Sequence, residues 1–143
     1  IVVKSDSTLD VAFVLKSKPK EVLVKLRDDK IEIQQKVFFE TGKGKIKEQS
    51  FGLLEQVAGL MAENPNIKRL EIQGHTDDVG SDDFNLELSQ QRADSVRQFL
   101  IDQGVGTSRI ISKGYGETRP ILPNTNKRNR SINRRVEFKI VDQ

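Results

Sequence analysis

Residues 67–104 read IKRLEIQGHTDDVGSDDFNLELSQQRADSVRQFLIDQG, and the rest of the chain is organised around the strand and helix that they predict. From Ile67 to about Gly74, apolar and polar residues alternate, which indicates a half-buried strand. From Asn85 to Gln103, apolar residues recur at intervals typical of an amphipathic helix, which Gly104 ends. The apolar stripe of this helix consists of Leu88, Ala93, Val96, Phe99 and Leu100.

Upstream of this unit, the chain repeats the strand and helix pattern. Apolar residues of one parity between Ile31 and Phe39 predict a strand, and a Gly-Lys-Gly turn follows at 42–44. Helical spacing from Ile46 to Met61 predicts an amphipathic helix. We expect this helix to end near Asn64-Pro65, because proline lacks the backbone N–H that a helix interior needs.

Downstream, the pattern predicts two further strands. The first opens at Ile110 and ends at Gly114-Tyr115-Gly116, and the second alternates from about Asn133 to Val141. The segment 117–131 between them holds two prolines and several asparagines, so we expect it to be irregular. The order β-α-β-α-β-β predicts an α+β fold, a two-layer sandwich in which a mixed sheet carries its helices on one face.

The first 29 residues differ from the rest of the chain. Two short apolar runs, Val11–Leu15 and Val22–Leu26, flank a lysine-rich turn and predict a hairpin. We therefore divide the chain into a β-rich extension, residues 1–29, and a main domain, residues 30–143. The extension is either the tail of a preceding domain or a cover for an exposed sheet edge.

Composition bounds the class of protein. A chain of 143 residues is long enough for one domain with an adequate core. It contains no cysteine, which excludes disulfides and thiolate metal sites, and no apolar run approaches the ~20 residues needed to cross a bilayer. Because residue 1 is Ile and no signal peptide is visible, we expect a piece of a longer, processed protein.

The formal net charge of +3 is unevenly placed. Residues 127–139 carry six basic residues and a single acid, Glu137. Such a run is either a solvated loop and strand face or an anion-binding patch. The sequence alone leaves both interpretations open.

Asp77 and Arg92 are the pair of residues whose chemistry suggests a site. Asp77 follows the predicted strand in a turn that contains Gly80, and Arg92 lies in the helix that comes next. The loop between them allows Arg92 to fold back beside the strand end. The two side chains could then form an exposed ion pair, with Asp77 capping its loop, or they could hold a zwitterion, carboxylate to ammonium and guanidinium to carboxylate.

The chain contains, in this order, the fragments Gly74-His75-Thr76-Asp77, Asn85-x-x-Leu88-Ser89-x-x-Arg92-Ala93 and Asn133-Arg134-Arg135-Val136-Glu137. Together they resemble the C-terminal domain of the OmpA family, which includes peptidoglycan-associated lipoproteins and flagellar stator subunits. The resemblance covers roughly residues 30–143, and it implies the same two-layer fold and non-covalent binding of peptidoglycan through its peptide stem. It also implies that Asp77 binds the ammonium and Arg92 the carboxylate of the D-centre of meso-diaminopimelate.

The resemblance extends the ligand site to further residues. Asn85 and Leu88 match the family's Asn-x-x-Leu-Ser, in which the amide lines the pocket, although Asn85 also suits a helix N-cap. Thr76 borders the same turn. Thr41 and Gly42 belong to Phe39-Glu40-Thr41-Gly42, which resembles a family turn that faces the pocket through backbone groups; the family's more common residue at Glu40 is Asp, so we assign its side chain no contact.

Arg134 shares strand parity with Val136, so we expect it to point toward the helix layer near the site. The family motif agrees with a pocket role for Arg134, as a second guanidinium for the ligand carboxylate. The alternative is that Arg134 merely anchors the loop at 124–130. Arg135 has the opposite parity and is expected on the outer face of the sheet.

Two features are interpreted as structural. His75, the single histidine, continues the outward parity of the strand, and neither a nucleophile motif nor a second histidine for zinc accompanies it. The acidic pairs Asp77-Asp78 and Asp82-Asp83 lack the alternating spacing of a calcium loop, so we interpret them as a solvated loop with at most weak metal binding. We expect no cofactor and no resident metal.

The sequence thus predicts a non-catalytic module that anchors an envelope protein to the cell wall, as a periplasmic domain of an outer-membrane or envelope protein. Membrane attachment would come only from other parts of the parent protein, and homodimerisation stays open. The alternatives are a protein-interaction scaffold, a nucleic-acid binder that uses the basic tail, and a hydrolase that uses Asp77 or Glu71. The basic run has no interleaved aromatics, and no paired carboxylates form a hydrolase constellation.

Overall fold

The computed structural model describes residues 21–142. Within them the chain forms a five-stranded sheet and three helices, with short 3₁₀ turns at Glu48–Ser50 and Thr107–Arg109. The elements in chain order are β1 (Val24–Leu26), β2 (Lys30–Ile33), α1 (Phe51–Glu63), β3 (Arg69–His75), α2 (Asp82–Asp102), β4 (Ile110–Gly116), α3 (Lys127–Asn133) and β5 (Arg135–Asp142).

The sheet is mixed, as predicted, with the strand order β1-β2-β5-β3-β4. β3 and β4 run parallel, whereas β5 is antiparallel to both of its neighbours, β3 and β2. β5 therefore lies in the centre although it is last in sequence. This arrangement brings the start of β5 beside the end of β3, since His75 pairs with Arg135.

The core lies between the sheet and the two long helices. Because alternate residues of a strand face opposite sides, β3 and β5 each present one apolar row to the helices and one polar row outward. Each fully buried aliphatic side chain contributes roughly 1.5–3 kcal/mol to folding. The fully buried apolar residues include Leu53, Leu54, Val57 and Met61 of α1, Ala93, Val96 and Leu100 of α2, and Leu70, Ile72, Ile110 and Phe138 of the sheet.

α2 approaches the sheet closely at two glycines that face each other across β3 and β4. Gly74 pairs with Gly114 in the register. A Cβ added at Gly74 would lie 2.2 Å from the carbonyl oxygen of Ser89, and one at Gly114 would lie 2.3 Å from the backbone nitrogen of Gln90. A side chain at either glycine would therefore push α2 away from the sheet.

The free edge of β4 is covered by side chains of α2. The Gln90 amide accepts from the Gly114 N–H (2.9 Å) and donates to the Ser112 carbonyl (3.3 Å). Arg97 donates to the Ile110 carbonyl (3.0 Å). α2 thus supplies to this edge the hydrogen bonds that a further strand would supply.

One predicted strand is much shorter than expected. The strand expected from Ile31 to Phe39 ends at Ile33, because the chain bends at 34–35. Phe39 forms only an isolated bridge with Ile46, which closes the predicted Gly-Lys-Gly turn.

The expectation of an irregular segment at 117–131 holds for residues 117–126 but is wrong for the remainder, because α3 begins at Lys127. The Asn126 side chain caps this helix by accepting from the Asn129 N–H at 2.8 Å. An asparagine before a polar run is a helix start signal. The prolines at 120 and 123 concealed it, although they lie before the helix.

At the amino-terminal side, β1 adds an edge strand to the same sheet by pairing with β2. β1 lies on the extension side of the division that we placed at residue 29, and the division itself stays a prediction. The predicted hairpin partner, Val11–Leu15, lies outside the described residues.

Candidate functional site

A cavity of about 500 Å³ opens at the end of the sheet where β3 stops and β5 starts. Its walls come from the loop after β3, one side of α2, the 36–42 segment, and the junction of α3 with β5. The structure brings all eight predicted site residues to this cavity: Thr41, Gly42, Thr76, Asp77, Asn85, Leu88, Arg92 and Arg134.

Asp77 is the buried acid of the cavity, with its side chain 8% exposed. Its Oδ2 accepts from Arg134 Nη1 at 2.5 Å, and its Oδ1 accepts from the Val79 N–H at 3.0 Å. Asp77 therefore caps its own loop and also forms an ion pair. The partner in that pair is Arg134, so the predicted alternative of an ion pair with Arg92 is wrong.

Arg92 is held in place by backbone carbonyls. Its Nε donates to the Lys43 carbonyl (3.0 Å) and its Nη2 to the Glu40 carbonyl (3.4 Å), while the guanidinium lies 4.9 Å from the centre of the Phe39 ring. Burial, and then the charge of Arg134, lower the pKa of Arg92 from its usual value. A guanidinium nevertheless stays protonated at neutral pH. Within residues 21–142, no carboxylate lies within ion-pair distance of Arg92, so its charge is available to a ligand.

Asn85 ties the loop after β3 to its surroundings. It is 3% exposed, and its amide nitrogen lies within hydrogen-bond distance of the Asp77 carbonyl (3.3 Å), the Val79 carbonyl (3.0 Å) and Glu117 Oε1 (3.2 Å). Asn85 therefore fixes the turn that presents Asp77.

The alternative role of Asn85 as a helix cap is wrong. α2 begins at Asp82, three residues earlier than predicted, and Ser81 caps it by accepting from the Phe84 N–H at 3.1 Å. The acidic first turn of α2, Asp82 and Asp83, suits the positive end of the helix dipole. Asn85 thus lies within the helix and is free to serve the loop.

Thr76 and Leu88 complete the floor. Thr76 donates from its hydroxyl to the Asp77 carbonyl (2.9 Å), and its backbone N–H donates to the Gly116 carbonyl (2.9 Å). Leu88 is 8% exposed and gives the cavity an apolar patch.

Thr41 and Gly42 lie in the turn that carries the Arg92 acceptors. Gly42 has φ = +68°, a left-handed conformation that favours glycine. The Glu40 side chain points to solvent toward Lys43 (3.9 Å) and Lys45 (3.5 Å), and it does not line the cavity.

Arg134 lies on the cavity side, as its parity predicted, with 45% of its side chain exposed. The Arg134 side chain contacts Asp77, whereas the segment that leads into α3 is held by the buried Asn133. Asn133 Oδ1 accepts from the N–H groups of Ile121 (2.8 Å) and Leu122 (3.1 Å), and its amide donates to the Leu122 carbonyl and to Asn124 Oδ1, both at 2.8 Å. Asn133 is the first residue of the motif Asn133-Arg134-Arg135-Val136-Glu137. Because it was expected to begin a strand, the sequence gave no signal for its contacts with this segment.

Lys36 is a cavity residue that sequence reasoning missed. Its ammonium donates to the Ser131 carbonyl (2.5 Å) and lies 3.4 Å from the Ser131 hydroxyl. Burial, followed by the charges of Arg134 and Arg92, lowers the pKa of Lys36. Lys36 was not predicted because it follows the strand end at Ile33, where strand parity no longer applies.

The basic run at 127–139 is in good part engaged in ion pairs. Arg130 lies 3.5 Å from Asp78, and Arg135 pairs with Glu137 on the outer face of the sheet. Together with Arg134, these contacts tie the α3–β5 junction to the loop after β3. They favour a structural and pocket role over an open patch for nucleic acid.

His75 is packed on the outer face of the sheet. It is 3% exposed, its ring stacks on Tyr115 at 5.3 Å, and its Nε2 lies 3.0 Å from Gln73 Oε1. Burial, and then the charge of Arg135, lower the pKa of His75 to about 4. The ring is therefore neutral at physiological pH and serves as a packing group. Among the described residues, no three His, Cys, Asp or Glu side chains are arranged to hold a metal ion.

This α+β architecture has known counterparts. The sequence profile of the OmpA family matches residues 38–134, and the chain belongs to that family. Outer membrane porin F of Pseudomonas fluorescens is 41% identical over 113 residues, which cover 79% of this chain and 34% of that protein. The chain thus spans about a third of the length of this relative.

Two solved structures share the fold. The peptidoglycan-associated lipoprotein of Burkholderia pseudomallei has a TM-score of 0.64 at 30% identity, with 73% of this chain and 86% of that chain covered. The periplasmic domain of Helicobacter pylori MotB has a TM-score of 0.68 at 25% identity, with 81% of this chain and 78% of that chain covered. These relatives are outer-membrane or periplasmic proteins, which confirms the predicted localisation of the domain. In the described part of the chain, no helix has the length and apolar character to span a membrane.

Proposed function

We propose that this domain binds peptidoglycan non-covalently through the diaminopimelate of its peptide stem and anchors a bacterial envelope protein to the cell wall. The observation that carries the proposal is the cavity of about 500 Å³, which gathers a buried carboxylate, Asp77, and two guanidiniums, Arg92 and Arg134. A zwitterion needs both signs of charge a short distance apart. One relative of similar fold is a peptidoglycan-associated lipoprotein.

In this proposal each charged residue has one role. The ligand ammonium binds Asp77, and the ligand carboxylate binds Arg92, with Arg134 beside it. Support comes from the way Arg92 is fixed by two carbonyls and the Phe39 ring, because a preorganised guanidinium loses little freedom on binding. Leu88 gives the methylene chain of diaminopimelate an apolar contact.

Anchoring follows from many copies acting on one polymer. A pocket for a single zwitterionic side chain has modest affinity, and attachment gains from simultaneous engagement of linked sites. The domain needs no cofactor for this task, and we propose that it leaves the wall intact. Incubation with purified sacculi and analysis of the supernatant checks this point, since released fragments would contradict it.

The test of binding is calorimetric titration of a stem peptide that contains meso-diaminopimelate. We expect the wild type to bind, and Asp77→Asn and Arg92→Gln each to weaken binding at least tenfold, because each removes one charge-assisted contact. Arg69→Gln is the matched control, since Arg69 is exposed and lies at the opposite end of β3. Thermal unfolding of each variant confirms that it is folded.

The outcomes separate site from function. Retained binding by both pocket variants would contradict the assigned residues, and failure of the wild type to bind even sacculi would contradict the function. A stem with lysine in place of diaminopimelate lacks the D-centre carboxylate. It should bind as weakly as the diaminopimelate stem binds to Arg92→Gln.

A further inference from the structure

We propose that Lys36 forms a second carboxylate subsite in the cavity, so that the domain prefers diaminopimelate whose other carboxyl group is free. The inference rests on the proposed function, and it assigns to Lys36 the role of a specificity-determining residue. It concerns the L-centre of the ligand, whereas Asp77 and Arg92 concern the D-centre.

The first argument is the charge of the cavity. Among the described residues that line it, Asp77 is the only carboxylate, while Lys36, Arg92 and Arg134 all bring positive charge. Arg135 also borders the cavity, but its charge is paired with Glu137. The D-centre of diaminopimelate carries one ammonium and one carboxylate, so it adds no net charge. The occupied cavity would therefore keep an excess of positive charge unless the ligand brings a second anion.

The second argument is the position of Lys36. Its ammonium is held at the Ser131 carbonyl, on the wall formed by α3 and the start of β5, and its side chain is half-buried. Arg134 and Arg92 line the same cavity, and burial together with their charges lowers the pKa of Lys36. An ammonium group has three donors, and Ser131 leaves capacity for a ligand oxygen. A half-buried cation among like charges is better satisfied once an anion joins it.

The third argument is the chemistry of the ligand. Diaminopimelate has two amino-acid centres joined by a methylene chain. In a peptide stem the L-centre amine is acylated, and the L-centre carboxyl is either free or bonded as an amide. Lys36 would distinguish these two forms, because a carboxylate accepts a charge-assisted hydrogen bond and a carboxamide accepts only a weaker one.

The competing role of Lys36 is structural. Ser131 lies in the last turn of α3, where a lysine can satisfy a free carbonyl and interact favourably with the helix dipole. In that role Lys36 would stabilise α3 without contacting the ligand. Loss of the side chain would then weaken the binding of every ligand by the same factor.

The experiment therefore compares two ligands that differ only at the L-centre. Both are meso-diaminopimelate acetylated on the L-centre amine; one has a free L-centre carboxyl and the other the carboxamide. Each is titrated by calorimetry into wild type, Lys36→Met, Lys36→Arg and Lys45→Met. Lys45 is the matched control, because its exposed side chain lies outside the cavity near Glu40.

We expect wild type and Lys45→Met to prefer the free carboxylate by roughly tenfold, a preference that falls with added salt. Lys36→Met should bind the two ligands equally, because it loses much more affinity for the free carboxylate than for the carboxamide, and Lys36→Arg should retain a preference. Equal loss for both ligands in Lys36→Met, or equal affinities in the wild type, would overturn the inference and leave the proposed function intact. Failure of the wild type to bind either ligand would overturn both.

Discussion

His75 illustrates at the residue scale how a buried polar group favours one protonation state. If its Nε2 carries the proton donated to Gln73, its Nδ1 is the buried atom that has no hydrogen-bond partner. A second proton on Nδ1 would then be buried without an acceptor. The neighbouring charges are mixed, with Arg135 and Arg119 opposing protonation of His75 and Glu137 and Glu71 favouring it.

This environment makes stability depend on pH. The pKa of His75 in the fold is about 4, below the ~6.5 of an unfolded histidine, so its contribution is fully present above pH 6.5 and is lost as pH falls toward 4. Between pH 7.5 and 5.0 we expect a loss of about 1–2 kcal/mol, measured by urea unfolding. His75→Phe should lack this loss, and the same loss in that variant would assign the pH dependence to other groups.

The motifs in the sequence predicted most residues that line the cavity, but not the ion pairs and hydrogen bonds that these residues form. The spacing predicted that Asp77 and Arg92 lie close together, because a helix that follows a strand end can fold back beside it. Strand parity and the family motif placed Arg134 near them. The sequence could not show that Asp77 pairs with Arg134 instead of Arg92, since that depends on how α3 enters β5. Lys36 was missed because it lies beyond the strand end at Ile33, and its partner Ser131 is far away in sequence.

At the element scale, α2 packs close to the sheet because two residues beneath it have no side chains. Gly74 and Gly114 lie side by side on β3 and β4, under the α2 backbone at Ser89 and Gln90. The same helix turn carries Leu88 and leads to Arg92. The distance of α2 from the sheet therefore sets the width of the cavity.

Gly74→Ala tests this close packing of α2 on the sheet. The added methyl would meet the Ser89 carbonyl oxygen at 2.2 Å, so we expect a loss of about 2–3 kcal/mol in urea unfolding. Gly59→Ala is the matched control, because Gly59 lies in α1 with open space around it, and it should gain up to about 1 kcal/mol. Equal stability of Gly74→Ala and wild type would mean that α2 can lift off the sheet without cost.

Gln90 protects the free edge of β4, because its single side-chain amide hydrogen-bonds both a backbone N–H and a backbone carbonyl of that edge. Gln90→Leu should cost about 1–2 kcal/mol and expose that edge, which we expect to appear as concentration-dependent association in sedimentation. Gln98→Leu removes only an exposed contact with Asp102 on the same helix. Equal association of both variants would mean that the edge is protected by other means.

Long periodic elements were predictable, and short ones were not. α1, α2, β3 and β4 follow from hydrophobic period, because each buries one face over several residues. α3 has only seven residues, which is too short for a hydrophobic period to be recognised. An asparagine cap and the contacts of Asn133 hold it in place. β1 could be seen as an apolar run, but its partner strand depends on the sheet order.

At the scale of the whole molecule, the cavity is assembled from distant parts of the chain. Lys36 and Thr41 come from its first third, Arg92 from α2, and Arg134 from the junction between α3 and the central strand β5. These segments meet only when the sheet is complete. The cavity therefore forms and disappears with the global fold.

Ligand binding should accordingly stabilise the entire domain. At a stem-peptide concentration one hundred times its Kd, we expect about 2.7 kcal/mol of added stability against urea, since only the folded chain binds. Asp77→Asn at the same concentration should gain much less. An equal gain in that variant would place the ligand outside the cavity.

Asp77 meets any ligand with its carboxylate already engaged by Arg134. If the ligand binds as proposed, binding is an exchange, in which an ammonium replaces the guanidinium at Asp77 and the released Arg134 turns to the incoming carboxylate. The net gain is the small difference between two similar ion pairs, so each attachment is brief. For the wall anchor proposed above, tethering would consist of many rapid hand-overs, and the envelope could stay attached to a polymer that is continually cut and rebuilt.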